Sequence, residues 1–138
     1  METVLSYLGG FASFVTYFGV SILLLMAFKY LYMLVTPYDE WKLVREDKNV
    51  AAAIGFIGAV IGFSLALASA ASNSVSVLDF SLWGGIALLA QIIAFSLVRF
   101  VLVPGLVQRI VENEVAAGIV LGGVSVSIGL LNAACMTY

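Results

Sequence analysis

The amino-acid sequence predicts an all-α, polytopic membrane protein with four transmembrane helices in two parallel two-helix repeats. Three observations predict this fold class: the composition, four long apolar segments and a repeated stretch of sequence. Hydrophobic residues make up 63% of the 138-residue chain, charged residues make up 10%, and the mean hydropathy is +1.14. A soluble domain carries about 25% charged residues. We therefore expect the chain to lie in a lipid bilayer.

Four apolar segments are long enough to cross the roughly 30 Å hydrocarbon core of a membrane. Inside lipid each segment must form a helix, because backbone polar groups there need partners within the protein. The first segment is expected to be a retained helix, since no basic residue precedes it as one would in a secretory signal. The four predicted spans lie at about 8–35, 50–71, 81–103 and 115–136.

The repeated stretch reads "NVAAAIGFIG" at 49–58 and "EVAAGIVLGG" at 114–123, where it opens the second and fourth spans. A second landmark is the dipeptide Ala-Phe at 27–28 and 94–95, whose alanine lies ten residues before a proline in both places. Together they predict two repeats, 1–72 and 73–138. Each repeat holds two spans, so both run in the same direction, related by a pseudo-twofold axis along the membrane normal.

The basic residues predict the orientation of the chain. All of them lie in the first and third links or at the span ends that face those links. Cytoplasmic segments carry the excess of Lys and Arg, so the charged links are expected in the cytoplasm and both termini outside. The six basic residues are Lys29, Lys42, Arg45, Lys48, Arg99 and Arg109.

The sequence offers little chemistry for an enzyme. It has no histidine, one cysteine, no phosphate-binding loop and no nucleophile–base set. We therefore predict no catalytic residue, cofactor or metal site, and the absence of a basic face argues against nucleic acid as a partner. No charged residue lies at mid-membrane, where an ion-coupled carrier would usually need one.

Small residues dominate spans two and four and indicate close helix packing. Small-xxx-small spacing lets helix backbones approach each other, which lipid-embedded helices favour. Because small residues occur all around both spans, we expect a homo-oligomer as well as an internal core, with spans one and three facing lipid more. The predicted packing residues are Gly55, Gly58, Gly62, Gly118, Gly122 and Gly129.

Among the polar residues of the spans, three are candidates for pore or polar contacts: Gln91 in span three, and Ser125 and Asn132 in span four. Ser125 and Asn132 share one helical face with the glycines of span four. They could line a narrow pore, or they could form hydrogen bonds between helices, and the second interpretation is favoured.

Acidic residues gather at the predicted cytoplasmic mouth. In an oligomer, a ring of such acids could attract cations. An ordinary solvated helix end also explains them and is the favoured interpretation. In the first link, Thr36 is expected to cap a helix that starts with Pro37. The acids assigned to the mouth are Asp47, Glu112 and Glu114, with Asp39, Glu40 and Glu46 nearby.

In its longer form, "DKNVAAAIGFIG" at 47–58 and "ENEVAAGIVLGG" at 112–123, the repeated stretch resembles the YjfL-like family of small bacterial inner-membrane proteins. The resemblance covers nearly the whole chain. It implies a multi-pass protein of the bacterial inner (plasma) membrane, so the termini would be periplasmic. It also implies a domain of unknown function in two tandem copies and an association with envelope-stress partners, and it brings no catalytic residues.

Two functions follow from these observations. The favoured one is a non-enzymatic, oligomeric scaffold or anchor in an envelope or membrane-stress system, whose charged links recruit cytoplasmic or membrane protein partners. The alternative is an oligomeric cation channel or pore lined by the small and polar faces of spans two and four. The channel needs a central opening that no feature of the sequence demands.

Overall fold

The computed structural model describes residues 1–136, and within them the chain is helical with no strand. Four helices are long and apolar enough to cross a membrane, as predicted for the fold class. They are α1 (Glu2–Val35), α3 (Val50–Asn73), α4 (Val77–Leu97, continued by a π-helical turn at Val98–Leu102) and α6 (Val115–Cys135). The short helices α2 (Glu40–Arg45) and α5 (Leu106–Val111) lie in the first and third links.

Local capping decides where the helices begin, and it corrects the expectation for the first link. Thr36 does not start a helix: it ends α1, with its hydroxyl donating to the Tyr32 carbonyl at 3.1 Å. The cause is Pro37, since a proline disfavours helical geometry in the residue before it. Helix α2 starts instead after Asp39, whose carboxylate accepts from the Lys42 amide at 3.2 Å.

Two spans also begin earlier than expected. Helix α1 starts at Glu2 instead of near residue 8, since residues 2–7 contain no helix-breaking residue. Helix α4 starts at Val77 instead of near residue 81, because Ser76 caps it by accepting from the Asp79 amide at 3.1 Å.

Helix α3 forms the centre of the molecule. It pairs along its length with α6: Gly58 lies against Gly122, and further along both helices the Ser69 hydroxyl donates to the Ala133 carbonyl at 2.8 Å. The two helices therefore run parallel. In the most apolar stretch of each helix, 56% of the residues are buried in α3 and 33% in α6.

Helices α4 and α1 cover one side of this pair. Helix α4 runs antiparallel to both α3 and α6 and packs against each of them. Helix α1 packs on α3 and α4, through Phe28 stacked on Phe63 at 4.7 Å between ring centroids, and makes no comparable packing with α6. In the most apolar stretch of each helix, 28% of the residues are buried in the α4 span and 6% in α1. Helix α1 is therefore the most exposed of the four spans.

The two links share a backbone pattern. Each has a short helix, then one residue in the left-handed region, then the long helix that follows. These residues are Lys48 (φ 51°) and Asn113 (φ 60°), and they occupy matching places in the repeated stretch. The pattern agrees with two tandem repeats. The boundary between 1–72 and 73–138 stays a prediction. Helix α3 extends one residue past that boundary, to Asn73.

Candidate functional site

The closest helix contact in the molecule lies between α3 and α6. A Cβ atom added to Gly58 would lie 2.2 Å from the Gly122 Cα, and one added to Gly118 would lie 2.4 Å from the Ala51 carbonyl oxygen. A Cβ atom on Gly129 would lie 2.2 Å from the Gly62 carbonyl oxygen. Since real Cβ atoms do not approach backbone this closely, only glycine fits at these positions.

Gly55 and Gly62 serve the same contact in different ways. Gly55 receives the Leu121 side chain, whose Cδ2 would lie 2.8 Å from an added Cβ. At Gly62 an added Cβ would lie 2.2 Å from the Ser125 carbonyl oxygen and 2.6 Å from the Gln91 Nε2. The absence of a side chain at Gly62 thus leaves the space through which Gln91 reaches α6.

A buried polar layer lies where α3, α4 and α6 meet. Gln91 is fully buried, and its Nε2 donates to the Ser125 carbonyl oxygen at 3.0 Å. Neither the Gln91 Oε1 nor the Ser125 Oγ has a hydrogen-bond partner among the described residues. This hydrogen bond joins α4 to α6 near the middle of the spans. An interhelical hydrogen bond inside a membrane contributes roughly 0.6–2 kcal/mol.

The glycine-rich face of α6 therefore points into the protein. Gly118, Gly122, Ser125 and Gly129 are all buried, most of them directly against α3. Asn132 is only partly buried, and its Nδ2 has no hydrogen-bond partner in the described part of the chain. Among the described residues, this face is therefore used mainly for contact with α3.

The three acids assigned to the mouth lie at the end of the molecule where α3 and α6 begin. Asp47 and Glu112 are exposed. Glu114 forms an ion pair with Arg109 at 3.3 Å, and Gln108 donates to Glu112 at 3.1 Å. Exposed pairs of this kind contribute about 0–1 kcal/mol, so these contacts add little to the stability of the fold.

Two asparagines, not singled out by the sequence analysis, join the repeats at this same end. The buried Asn49 donates from Nδ2 to the Ile110 carbonyl oxygen at 2.7 Å and accepts from the Ala52 amide at 2.9 Å. In return, the Asn113 Oδ1 accepts from the Ala51 amide at 3.0 Å. Asn49 stands in the repeated stretch before Val-Ala-Ala, and this capping position is the signal that could have identified it.

Glu40 lies in a second site that sequence reasoning missed. It was grouped with solvated acids, but its side chain is only 2% exposed, and neither carboxylate oxygen has a hydrogen-bond partner among the described residues. Burial raises the pKa of Glu40 to about 7, while the nearby Thr36 hydroxyl acts in the opposite direction. The acid is buried because α2 begins after Asp39 and turns its next residue inward.

Aromatic and cationic groups surround Glu40. The Tyr32 hydroxyl is buried and has no hydrogen-bond partner within residues 1–136. Burial, together with the charge of Glu40, raises the pKa of Tyr38, and the charge of Arg99 acts in the opposite direction. On the outer side of α2, the Lys29 ammonium lies 4.4 Å from the centroid of the exposed Trp41 ring. A cation over an aromatic face is attracted by the ring quadrupole, so this contact holds α2 against the end of α1.

No group of three or more metal-ligating side chains occurs in residues 1–136. The polar groups described above lie in helix contacts or at the charged end, and none is arranged as a nucleophile with its base. What the arrangement can do chemically is hold helices together and present charge.

Comparison with known proteins gives one family and two relatives. The family model described as "Domain of Unknown Function (DUF350)" matches residues 6–136. The chain is 38% identical over 126 residues to the UPF0719 inner membrane protein YjfL of Escherichia coli (strain K12), covering 91% of this chain and 94% of that protein. The YjfL protein of Escherichia coli O157:H7 matches equally well. No solved structure matches.

Proposed function

The chain belongs to the DUF350 family of membrane proteins, and from that membership and its geometry we propose that it is a non-enzymatic, homo-oligomeric scaffold of the bacterial inner membrane. The multi-pass membrane location follows from the four apolar helices and the inner-membrane relatives. The scaffold role goes beyond the relatives' names and rests on the distribution of polar groups.

The observation that carries this proposal is the contrast between the two parts of the molecule. Inside the spans, the Gln91 amide is used to join α4 to α6. Outside them, both links present charge at one end, on α2 and around α5. A protein with a closed interior and one charged end is suited to recruiting partners at that end, as expected of an anchor in an envelope or membrane-stress system.

The orientation that this role requires has the charged end in the cytoplasm and both termini in the periplasm. The support is the one-sided distribution of Lys and Arg. The partners would then be cytoplasmic proteins or the cytoplasmic parts of membrane proteins. The exposed face of α2, with Trp41, Lys42, Arg45 and Glu46, is the surface offered to them.

Site-specific photo-crosslinking in living cells tests the scaffold role. A photoreactive residue at Lys42, on the exposed face of α2, is expected to give adducts with proteins other than this chain. The matched control is the same residue at Leu78, which is exposed near the start of α4 at the opposite end of the molecule. Equal adduct patterns at both positions, or adducts with this chain alone, would contradict recruitment through the link.

The cation channel is the second candidate, supported by the acids at the predicted cytoplasmic mouth. It competes with the packing described above: Ser125 is buried, and the open groove between α3 and α6 is apolar, lined by residues such as Ile54, Ile57 and Ile119. The scaffold role predicts no cation flux above that of empty vesicles when the purified protein is reconstituted. Flux that falls with Glu112→Gln, Glu114→Gln or Asn132→Leu would establish the channel instead.

A further inference from the structure

Three buried polar atoms at the charged end of the molecule have no partner. They are the two carboxylate oxygens of Glu40 and the hydroxyl oxygen of Tyr32, and none of them has a hydrogen-bond partner in the part of the chain that the structure describes. Both side chains are almost completely buried. Buried polar groups in folded proteins are nearly always paired, so each exception needs a physical explanation. Glu40 is the larger exception, because both of its oxygens are unpaired.

The groups around Glu40 favour a neutral carboxyl group. Helix α3, on which α2 packs, carries no titratable side chain. Helix α1 contributes Tyr32, and the first link contributes Asp39, whose charge raises the pKa of Glu40. The cation on this side is Arg99 of the π-helical turn, and it acts on Tyr38. No described basic side chain forms an ion pair with Glu40 that would favour its charged form.

Helix α2 is held to the rest of the molecule by few contacts. Of its six residues, only Glu40 and Leu43 are buried, and its two basic residues are exposed. On its outer side, Trp41 lies beside the Lys29 ammonium of α1. Segments with few buried contacts open at a lower free energy than the core does. Loss of the contact made by Glu40 is therefore expected to release α2 while the four spans stay folded.

We propose that Glu40 is a proton-binding site that controls the position of α2: with the proton bound, α2 docks against α3 and the end of α1, and without it, α2 separates from them. An ionised carboxylate without a partner is costly inside a protein, and it recovers its hydration when α2 moves into water. The proton passes between the carboxyl group and water, and no other bond changes.

This inference adds regulation to the surface that we propose for recruiting partners, and in that respect it rests on the proposed function. Release of α2 changes what the charged end presents to a partner. Because burial raises the pKa of Glu40 to about 7, the change occurs near neutral pH. The stabilisation of the docked position by the proton is complete below about pH 4.5 and is lost as the pH rises through about 7.

Hydrogen exchange of the purified protein tests the proposal. Amide protection in α2 is compared at pH 6 and pH 8, after correction for the effect of pH on the chemical exchange rate. Linkage predicts that the ratio of docked to separated α2, and with it the protection, falls about tenfold over this range. Helix α5 has the same length and no buried acid, so it is the internal control and its protection should change little.

Two variants assign the effect to Glu40. Glu40→Gln is uncharged at every pH, so its α2 should keep its protection at pH 8. Asp47→Asn removes an exposed acid from the same link and should behave as the wild type does. An equal fall of protection in Glu40→Gln would overturn the proposal. A fall in wild-type α2 no larger than that in α5 would overturn it as well, and this comparison needs no variant.

Further outcomes separate the proton site from a cation site and from the scaffold. Protection of α2 that depends on the concentration of sodium or potassium chloride, and not on pH, would mean that Glu40 holds a metal cation and would contradict the proton site. The exchange experiment contains no partner protein. Adducts at Lys42 in cells together with pH-independent protection would keep the scaffold and remove the proton site, whereas pH-dependent protection without such adducts would do the reverse.

Discussion

At the scale of single residues, Glu40 shows how a link in a membrane protein can hold a buried acid. The residue looked solvated in the sequence because it stands among charged neighbours, and burial of a charged group is costly unless it is paired or neutral. Its pKa of about 7 means that it is largely protonated below that pH. Besides burial, which raises the pKa of Glu40 most, the Thr36 hydroxyl and the backbone amide of Glu40 lower it and the charge of Asp39 raises it. Glu40 and Arg99 in turn act on the pKa of Tyr38.

The raised pKa predicts a pH dependence of stability. The folded state binds the Glu40 proton more tightly than the unfolded state, whose pKa is 4.5. The associated stabilisation is therefore complete below about pH 4.5 and is lost as the pH rises through about 7. Thermal melting in detergent between pH 5 and pH 8 should show the wild type losing stability, and Glu40→Gln losing less. Parallel curves for the two proteins would contradict the burial of this acid.

A second residue-scale prediction concerns Asn49. Its side chain caps α3 and donates to the Ile110 carbonyl, so Asn49→Ala loses a cap and leaves a buried carbonyl with one fewer donor. The expected cost is about 1–3 kcal/mol. Asn73→Ala, which alters a partly buried side chain bonded only within its own helix, is the control and should melt close to the wild type. Equal loss in both variants would remove the special role of Asn49.

At the scale of helices, the α3–α6 pair was largely predictable and the links were not. Glycine and alanine at helical spacing in both spans indicated a close backbone contact. Helices in lipid associate largely through van der Waals packing, and small residues let their backbones approach. The parallel direction came from counting spans. The start of α2 was mispredicted because Thr36 and Asp39 are both acceptable caps with extended backbone. The Thr36 hydroxyl donates back to the Tyr32 carbonyl of α1, whereas the Asp39 carboxylate accepts from the Lys42 amide of α2.

Substitution of Gly58 tests the α3–α6 contact. Gly58→Ala places a methyl group 2.2 Å from the Gly122 Cα and forces the backbones apart. Overpacking of this kind costs about 1–3 kcal/mol, so the melting temperature should fall. Gly85→Ala is the matched control in α4, because nothing lies within 4 Å of its added Cβ, and it should be neutral or slightly stabilising. A Gly58→Ala protein as stable as Gly85→Ala would mean that these backbones do not touch.

At the scale of the whole molecule, composition and span count predicted the all-helical membrane fold, because the bilayer allows few alternatives. The position of α1 could not be predicted. A pseudo-twofold axis would place α1 against α6 as α4 lies against α3, but α1 packs on α4 instead. That position depends on side-chain fits such as Phe28 on Phe63, and hydropathy carries no information about them.

The predicted topology can be tested by cysteine labelling in intact cells. In a Cys135→Ser background, a cysteine at Ser74, between α3 and α4, should react with a membrane-impermeant reagent. A cysteine at Asp47, in the first link, should react only after the membrane is opened. The reverse pattern would place the charged end, and with it the recruiting surface, in the periplasm.

The most direct test of a homo-oligomeric scaffold is the native mass of the protein extracted in a mild detergent. The wild type is expected as an assembly of several copies. A wild type that is monomeric both in detergent and in lipid nanodiscs would contradict the account.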